Sequence, residues 1–445
     1  MIETHDHNVN GAVHIHNAID AGSDNKRRVS LRIENGLIAD IRAADQDSND
    51  APSDAKDTSD DVTIDASGLH ISPGFIDSYA RLRDPGYEKK STIASEVRAA
   101  ALNGITTILC SPDTDPVIDE AATVELINRK ARDSAQAKVL PIAALTRGLG
   151  GELLSELATL KAAGCIAASN ADAPIVDLQV IRRCMEYART FDIVLILHPA
   201  DSWLSANGCA HEGATATRAG LPTIPVAAET IALAILIELV WQTGARVHFS
   251  RITSRRGVEM IRQARRGGLQ VTADTSINHL VFDDTMLGNF DSQFHSIAPF
   301  RDIDDRDALR EAVIDGTIDS ICTDHAPHER DAKLAPFPSS EPGISGLDTL
   351  LGHIMTLQET ADMPLSALLA AVTRRPAEIF DLAQGRLEVG APADIILFDA
   401  DSTYTVDPGS FLSAGRNTPL EGKTLCGKVV HTLIDGKLID RFETD

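Results

Sequence analysis

At 445 residues the chain is long enough for one large core with a smaller appended domain, which excludes a small single-module protein. Its apolar content of 43% with only 4% aromatics suits a core of Ala, Val, Ile and Leu, the usage of buried parallel strands and their helices, and excludes a largely disordered chain. A formal net charge of -24 opposes nucleic acid and anionic membrane surfaces as partners.

From about Gly11 to Ile41, apolar and polar residues alternate around Asn35-Gly36, a dipeptide that favours the tight turn of a hairpin. A β-domain begins here. His14 and His16 alternate on this predicted strand, His5 and His7 lie in the polar leader, and all four read as surface residues. The acidic stretch 45–61, rich in Asp, Ser, Asn, Pro and Ala, cannot bury enough apolar surface to offset its ordering entropy and is predicted to be a mobile loop.

Between about Leu69 and Leu382, eight short apolar runs alternate with helical patterns: Gly74 to Ala80, Ile105 to Cys110, Val139 to Ala144, Cys165 to Ser169, Ile193 to His198, Arg246 to Ser250, Leu269 to Ala273 and Ser320 to Asp324. Leu178, Ile181, Met185 and Ala188 mark the apolar face of one helix, and Ala227 to Trp241 reads as a largely buried one. Eight such units predict an α/β fold, a closed (β/α)₈ TIM barrel. The run Ala393 to Phe398, then Lys428 to Ile439 folded at Asp435-Gly436, returns to strand signals. The two termini, 1–68 and 383–445, are therefore expected to form one small β-sandwich flanking a barrel at 69–382.

The six cysteines, Cys110, Cys165, Cys184, Cys209, Cys322 and Cys426, include no C-x-x-C pair and read as reduced core residues. Met1 leads into polar residues with no basic-then-apolar leader. No apolar run approaches the roughly 20 residues expected of a membrane span, so the expectation is a cytoplasmic chain without a membrane partner.

Barrel enzymes carry their chemistry at the C-terminal ends of the strands. The first strand runs from Pro73 through Asp77, Tyr79, Arg81 and Arg83 to Gly86. Further segments are Ser111-Pro112-Asp113-Thr114, Thr323-Asp324-His325-Ala326-Pro327-His328, Pro342 to Thr349, and Asn417-Thr418-Pro419-Leu420. Together these segments resemble dihydroorotases of the amidohydrolase superfamily over almost the whole chain.

The resemblance implies a zinc-dependent hydrolysis of a ring amide. The metal would polarise the amide and lower the pKa of a bound water, with an aspartate on strand eight relaying the proton. It places two histidines where this chain has Tyr79 and Arg81, a carboxylate near Asn170 and Ala171, a histidine at His198, another where Arg251 stands, and the catalytic aspartate at Asp324. Only His198 and Asp324 persist. Asp172 falls one or two positions out of register.

Two ligands on separate strands hold catalytic zinc poorly, and the guanidiniums add repulsion, so no metal is expected. Among substrate contacts, Arg83 matches an arginine that grips the substrate carboxylate, and His328 matches a second contact. Asp113 replaces an asparagine, and would repel an anionic substrate unless protonated or paired. The segment Ile297-Ala298-Pro299-Phe300-Arg301 has likewise lost an asparagine, and His279 matches the second histidine of a further segment.

Because strands one and eight adjoin in a closed barrel, Arg81 is expected to pair with Asp324. Arg251 would find Asp113, Asp201 or solvent. The expectation is a dihydroorotase-like pseudoenzyme in pyrimidine biosynthesis, with vestigial site residues and a homo- or hetero-oligomeric assembly. By resemblance, its partner would be the catalytic chain of aspartate carbamoyltransferase. The alternatives are an active dihydroorotase or related cyclic amidase with one metal held by His198, Asp324 and a third ligand, and a carboxylate sensor using Arg83 and His328.

Overall fold

A computed structural model describes residues 11–439 except 24, 26, 44–60 and 135. His5, His7 and all of the 45–61 stretch but Asp61 lie outside the described residues. Eight parallel strands follow one another around a barrel: β1 (Phe75–Ala80), β2 (Ile105–Cys110), β3 (Lys138–Ala144), β4 (Ala167–Ser169), β5 (Val194–Leu197), β6 (Val247–Phe249), β7 (Val271–Ser276) and β8 (Ser320–Cys322). The ring closes where Arg81 N donates to His325 O at 2.9 Å, beside the Ala80 to His325 bridge.

Every residue of β1 and β2 is buried, which is why these strands read as continuous apolar runs rather than alternating ones. Alternate residues point inward: Ile76, Leu109, Ile142, Val194 and Ile196 fill the barrel, while Phe75, Ile105 and Ile108 face the helices. Four helices matter below: α1 (Leu178–Thr190), α2 (Val226–Thr243), α3 (Arg255–Arg266) and α4 (Leu350–Ala361).

Helix α2 departs from expectation. Only Ala228, Glu229, Leu233 and Val240 are buried on it, so it is not the largely buried helix its apolarity suggested. By length and composition it is apolar enough to cross a membrane, with a mean hydropathy of 1.5 over 18 residues, which also corrects the expectation that no run comes near a span. It lies between α1 and α3 in the outer ring of the barrel.

Both termini build the second sheet. Val13–Asp20, Arg28–Glu34, Leu37–Ala43 and His70–Pro73 join Ile395–Thr405, Thr424–Ile434 and Lys437–Ile439 in one hydrogen-bonded path, and Val62–Asp65 branches from it by pairing with Val13–Asp20. Bulges at Ile15/Ala18 and at Asp399/Thr403 bend it. Residues from its two ends, Ile33 and Leu433 among them, consequently share one core with Ile15, Ile71 and Leu397. Strand His70–Pro73 pairs with Val13–Asp20 and Ile395–Thr405, so this sheet reaches past the expected boundary at residue 69.

The predicted turn at Asn35-Gly36 has φ of 51° and 76°, and Asp435-Gly436 has 48° and 74°; such paired left-handed residues match the twist of the flanking strands. His14 is buried at 3% exposure and its ring stacks on His16, so it is not the surface residue expected. All six cysteines are free, five of them buried.

Candidate functional site

The strand ends share an unusual backbone. Arg83, Ala171, Arg251 and Asp324, each two or three residues beyond its strand, have φ of 63°, 50°, 58° and 47°. Non-glycine residues enter this left-handed region at a cost of about 1–2 kcal/mol.

Two guanidiniums fill the mouth. Arg81 and Arg251, 2% and 1% exposed, reach the same two carboxylates. Asp324 Oδ1 accepts from Arg81 Nη1 and Arg251 Nη1, both at 3.3 Å. Asp172 Oδ1 accepts from Arg251 Nη2 at 2.6 Å, and Asp172 Oδ2 accepts from Arg81 Nη2. Arg81 Nε donates to Asp113 Oδ2 at 2.9 Å. The expected pairing of Arg81 with Asp324 is thus present, while Arg251 takes Asp172 and Asp324 rather than Asp113 or Asp201.

Tyr79 forms the platform beneath this lattice. The Arg251 and Arg81 guanidinium carbons lie 4.5 and 5.2 Å from its ring centroid, and its hydroxyl accepts from Ser111 Oγ at 3.0 Å. Burial pushes this phenol well above its ordinary pKa, so it stays neutral. Burial alone would raise the Asp172 carboxyl, but Arg251 and Arg81 outweigh it and hold the group well below the usual carboxylate range. Burial likewise opposes the Arg251 charge, and the carboxylates of Asp172 and Asp324 more than restore it.

Asp172 is the residue that register reasoning set aside. Its predecessors explain its position: Asn170 Oδ1 accepts from Thr146 N and Oγ1 at 3.2 and 2.7 Å, tying Asn170 into a neighbouring loop. The left-handed turn at Ala171 then directs the next side chain over the mouth. Sequence offered one signal, an acid three residues past the end of β4, on the same strand-end rim as Arg81 and Arg251.

His198 donates from Nδ1 to Ser250 O at 3.1 Å; burial and then Arg251 push its pKa down to about 4, so the ring is neutral. Below the lattice, Asp274 accepts from His248 Nε2 at 2.9 Å and from Arg251 N at 2.5 Å, bracing the strand-six end. His279 Nε2 bonds Ala298 O at 3.1 Å, and Arg301 donates to Thr253 Oγ1 and Ile224 O.

Arg83 and His328 sit to one side. His328 Nε2 donates to Pro342 O at 3.0 Å and Nδ1 accepts from Lys90 Nζ at 3.1 Å; burial, Arg83 and Lys90 hold its pKa down near 3. The Arg83 Nε is buried without a hydrogen-bond partner.

A cavity of about 590 Å³ starts at Asp172 and His198 and runs outward to Leu178, Ile235 and Trp203. The guanidinium lattice stands behind Asp172 and closes the inner side. The mouth therefore offers a phenol and two cations where the resemblance draws imidazoles: the guanidiniums have no lone pair to give at neutral pH, and the phenol is neutral and already accepts from Ser111 Oγ. This donor set does not fit zinc.

Among the described residues, one group of three could hold a metal ion by proximity: His211, Asp302 and Asp305, with ligand atoms within 4.8 Å of one another. Other work occupies them. Arg301 Nη1 lies 3.2 Å from His211 Nδ1, Asp302 caps the helix at Asp305 N, and Asp305 accepts from Arg255 N at 2.8 Å.

Residues 68–257 match the family described as Dihydro-orotase-like, and 269–440 match the Amidohydrolase family. The chain is 44% identical over 420 residues to the dihydroorotase-like protein of Pseudomonas aeruginosa, covering 94% of this chain and 97% of that one. It is 46% identical over 374 residues to the dihydroorotase-like protein of Pseudomonas putida, covering 84% and 88%. The dihydroorotase of Caldanaerobacter subterraneus subsp. tengcongensis is 40% identical over 383 residues, covering 86% and 89%. In fold the chain is similar to the L-hydantoinase (dihydropyrimidinase) of Arthrobacter aurescens, at a TM-score of 0.81 and 21% identity, with 96% and 95% of the two chains covered. With the barrel, the terminal sheet and relatives of this identity and coverage in hand, the chain belongs to the dihydroorotase-like amidohydrolase family.

Proposed function

We propose that this chain is a non-catalytic dihydroorotase-like protein of pyrimidine biosynthesis that acts as a structural partner of the aspartate carbamoyltransferase catalytic chain. One observation carries the first half: Arg81 and Arg251 occupy the barrel mouth and are held there by Asp172 and Asp324. A divalent ion entering that space would meet two guanidiniums a few ångströms away in a site shielded from water, where Coulomb repulsion is weakly screened. The general base is lost in the same stroke, because Asp324 is engaged by both cations.

The partner rests on the family resemblance and on the retention of a complete fold around a blocked mouth. Metal analysis of purified protein with a dihydroorotate turnover assay tests the catalytic half: the expected result is substoichiometric zinc and no turnover. Stoichiometric zinc with turnover that Asp324→Ala abolishes would establish the active-enzyme alternative. Co-purification with aspartate carbamoyltransferase at micromolar concentration tests the other half, and separate elution removes that partner.

A carboxylate-sensor reading gains from one feature. Asp113 is paired with Arg81, which neutralises the acid that would otherwise repel an anion beside Arg83. Titration calorimetry with dihydroorotate, read against Arg83→Met, decides it: saturable binding lost in the variant supports a sensor.

A further inference from the structure

We propose that the cavity beside the barrel mouth is a binding site for a small amphipathic monoanion, its carboxylate held by Arg301 and its apolar body lying between α1 and α2. Three arginines are buried among the described residues: Arg81, Arg251 and Arg301, at 2%, 1% and 4% exposure. Arg81 and Arg251 are each held by the carboxylates of Asp172 and Asp324. Arg301 has no ion pair among the described residues. Its Nε donates to Thr253 Oγ1 at 3.0 Å and its Nη1 to Ile224 O at 2.8 Å, with His211 Nδ1 at 3.2 Å. Nη2 has no hydrogen bond among the described residues, although the side chain forms part of the cavity wall. Burial lowers the Arg301 pKa, and Glu229, Asp305 and Asp302 oppose that without touching the guanidinium. A buried guanidinium ordinarily sits against an anion, because removal from water penalises the bare charge. Here that anion is left for a ligand to supply.

The other ionisable groups on the wall do not compete for this role. Arg301 is the only lysine or arginine among the described residues that wall the cavity. Burial first, and nearby cations second, keep His198 and His295 neutral. Asp172 is taken by the two arginines of the mouth. Glu229 turns to the backbone, accepting from Thr253 N at 2.8 Å and Ser254 N at 3.2 Å. Asp201 accepts from Trp203 N and Leu204 N at 3.1 and 2.8 Å. An entering carboxylate thus meets one free cation and no free acid. A dianion such as a phosphate monoester would need a second cation, all the more in a chain of net charge -24.

The rest of the wall is apolar. Ile175, Leu178 and Ile181 face Ala232, Ile235 and Leu236 across it. Ile235 and Leu236 are only partly buried because they border this space, which accounts for part of the low burial of α2. A volume of about 590 Å³ is in the range of pockets that enclose a small ligand. Arg83, Asp113 and His328, the substrate contacts that the resemblance names, are not among the residues that wall it, so the site stands apart from the catalytic, carbamoyltransferase and sensor readings.

Titration calorimetry on the full chain with 2-naphthoate, and with 2-naphthylmethanol as the same ring system without the charge, tests the site. Saturable one-to-one binding is expected, about ten-fold tighter for the naphthoate, as one charge-assisted hydrogen bond provides. Arg301→Met should make the two affinities equal. Ala232→Trp fills the apolar half without touching Arg301 and should abolish binding of both ligands with an unchanged circular dichroism spectrum, a readout that holds even where Arg301→Met fails to fold. No saturable naphthoate binding at millimolar concentration, equal affinities in the wild type, wild-type affinity in Ala232→Trp, a preference for naphthoate that survives in folded Arg301→Met, or loss of naphthoate binding in Arg83→Met would each overturn the proposal.

Discussion

Asp172 shows what a single side chain must do when two guanidiniums are buried together. It contacts both Arg81 and Arg251 and is 26% exposed at the side chain, so its charge is only partly screened by solvent. Removing one partner of such a set leaves the other charges uncompensated, a loss of about 3 kcal/mol or more. Asp172→Ala should therefore lower the urea midpoint strongly, whereas Asp172→Asn, which keeps an acceptor oxygen but no charge, should fall between. Equal midpoints for the wild type and Asp172→Ala would mean the lattice contributes nothing to folding. The sequence hid this residue because register was counted along an extended chain, and the turn at Ala171, with φ of 50°, moved the acid to the mouth. Arg81 with Asp324 was legible for the opposite reason: both follow strands that closure makes neighbours, so the left-handed turn at Asp324, with φ of 47°, did not have to be foreseen to pair them.

At the level of elements, the turns with a chemical signature were readable, and so was most of the α1 face, where Ile181, Met185 and Ala188 are buried although Leu178 at its first turn is exposed; the face of α2 was not. Asn35-Gly36 and Asp435-Gly436 announce paired left-handed residues, and both strand pairs fold there. In α2, by contrast, apolarity is nearly uniform around the helix, and nothing in such a pattern says which side meets the barrel. Helix α4 carries a comparable hidden feature. His353 is 1% exposed, packs edge-on against Phe282 with ring centroids 5.8 Å apart, and has no hydrogen-bond partner on either ring nitrogen. Unpaired buried polar atoms cost about 1–3 kcal/mol. His353→Leu, close in volume and free of that penalty, should raise the melting temperature at pH 7 by a degree or more, and by a larger margin at pH 5.5, where the unfolded chain's histidine takes up a proton. A lower melting temperature at both values would show that the imidazole is satisfied in solution.

Across the whole molecule the buried titratable groups sum to a definite acid response. Burial, joined in some cases by nearby cations, lowers His198, His279, His295 and His353 to about 4 and His328 to about 3. The unfolded histidine titrates near 6.5. Between these values the unfolded chain binds protons that the folded chain refuses, so the stability these five contribute is present above about pH 6.5 and is lost as pH falls through the window. Carboxylates act the other way: burial raises Asp77 and Asp305 to about 6 and lifts Asp284, Asp348 and Asp394 above their ordinary value, so between about pH 4 and 6 the folded state holds protons that the unfolded state has released. His211 is lowered as well, and above about pH 6 the histidines set the sign: the unfolded chain takes up protons that the folded chain refuses. Asp172, held below the ordinary carboxylate range, adds its loss only at lower pH still. The melting temperature should accordingly fall continuously from pH 7.5 to about 6, a range that stays above the isoelectric point near 4.9 and so avoids precipitation. Replacing His198 and His353 together by leucine should flatten that slope, because two of the proton-refusing sites are then gone. A profile with no slope in the wild type would mean that these rings carry charge in the folded barrel, and that the neutral His198 beside Arg251 is not the state present in solution.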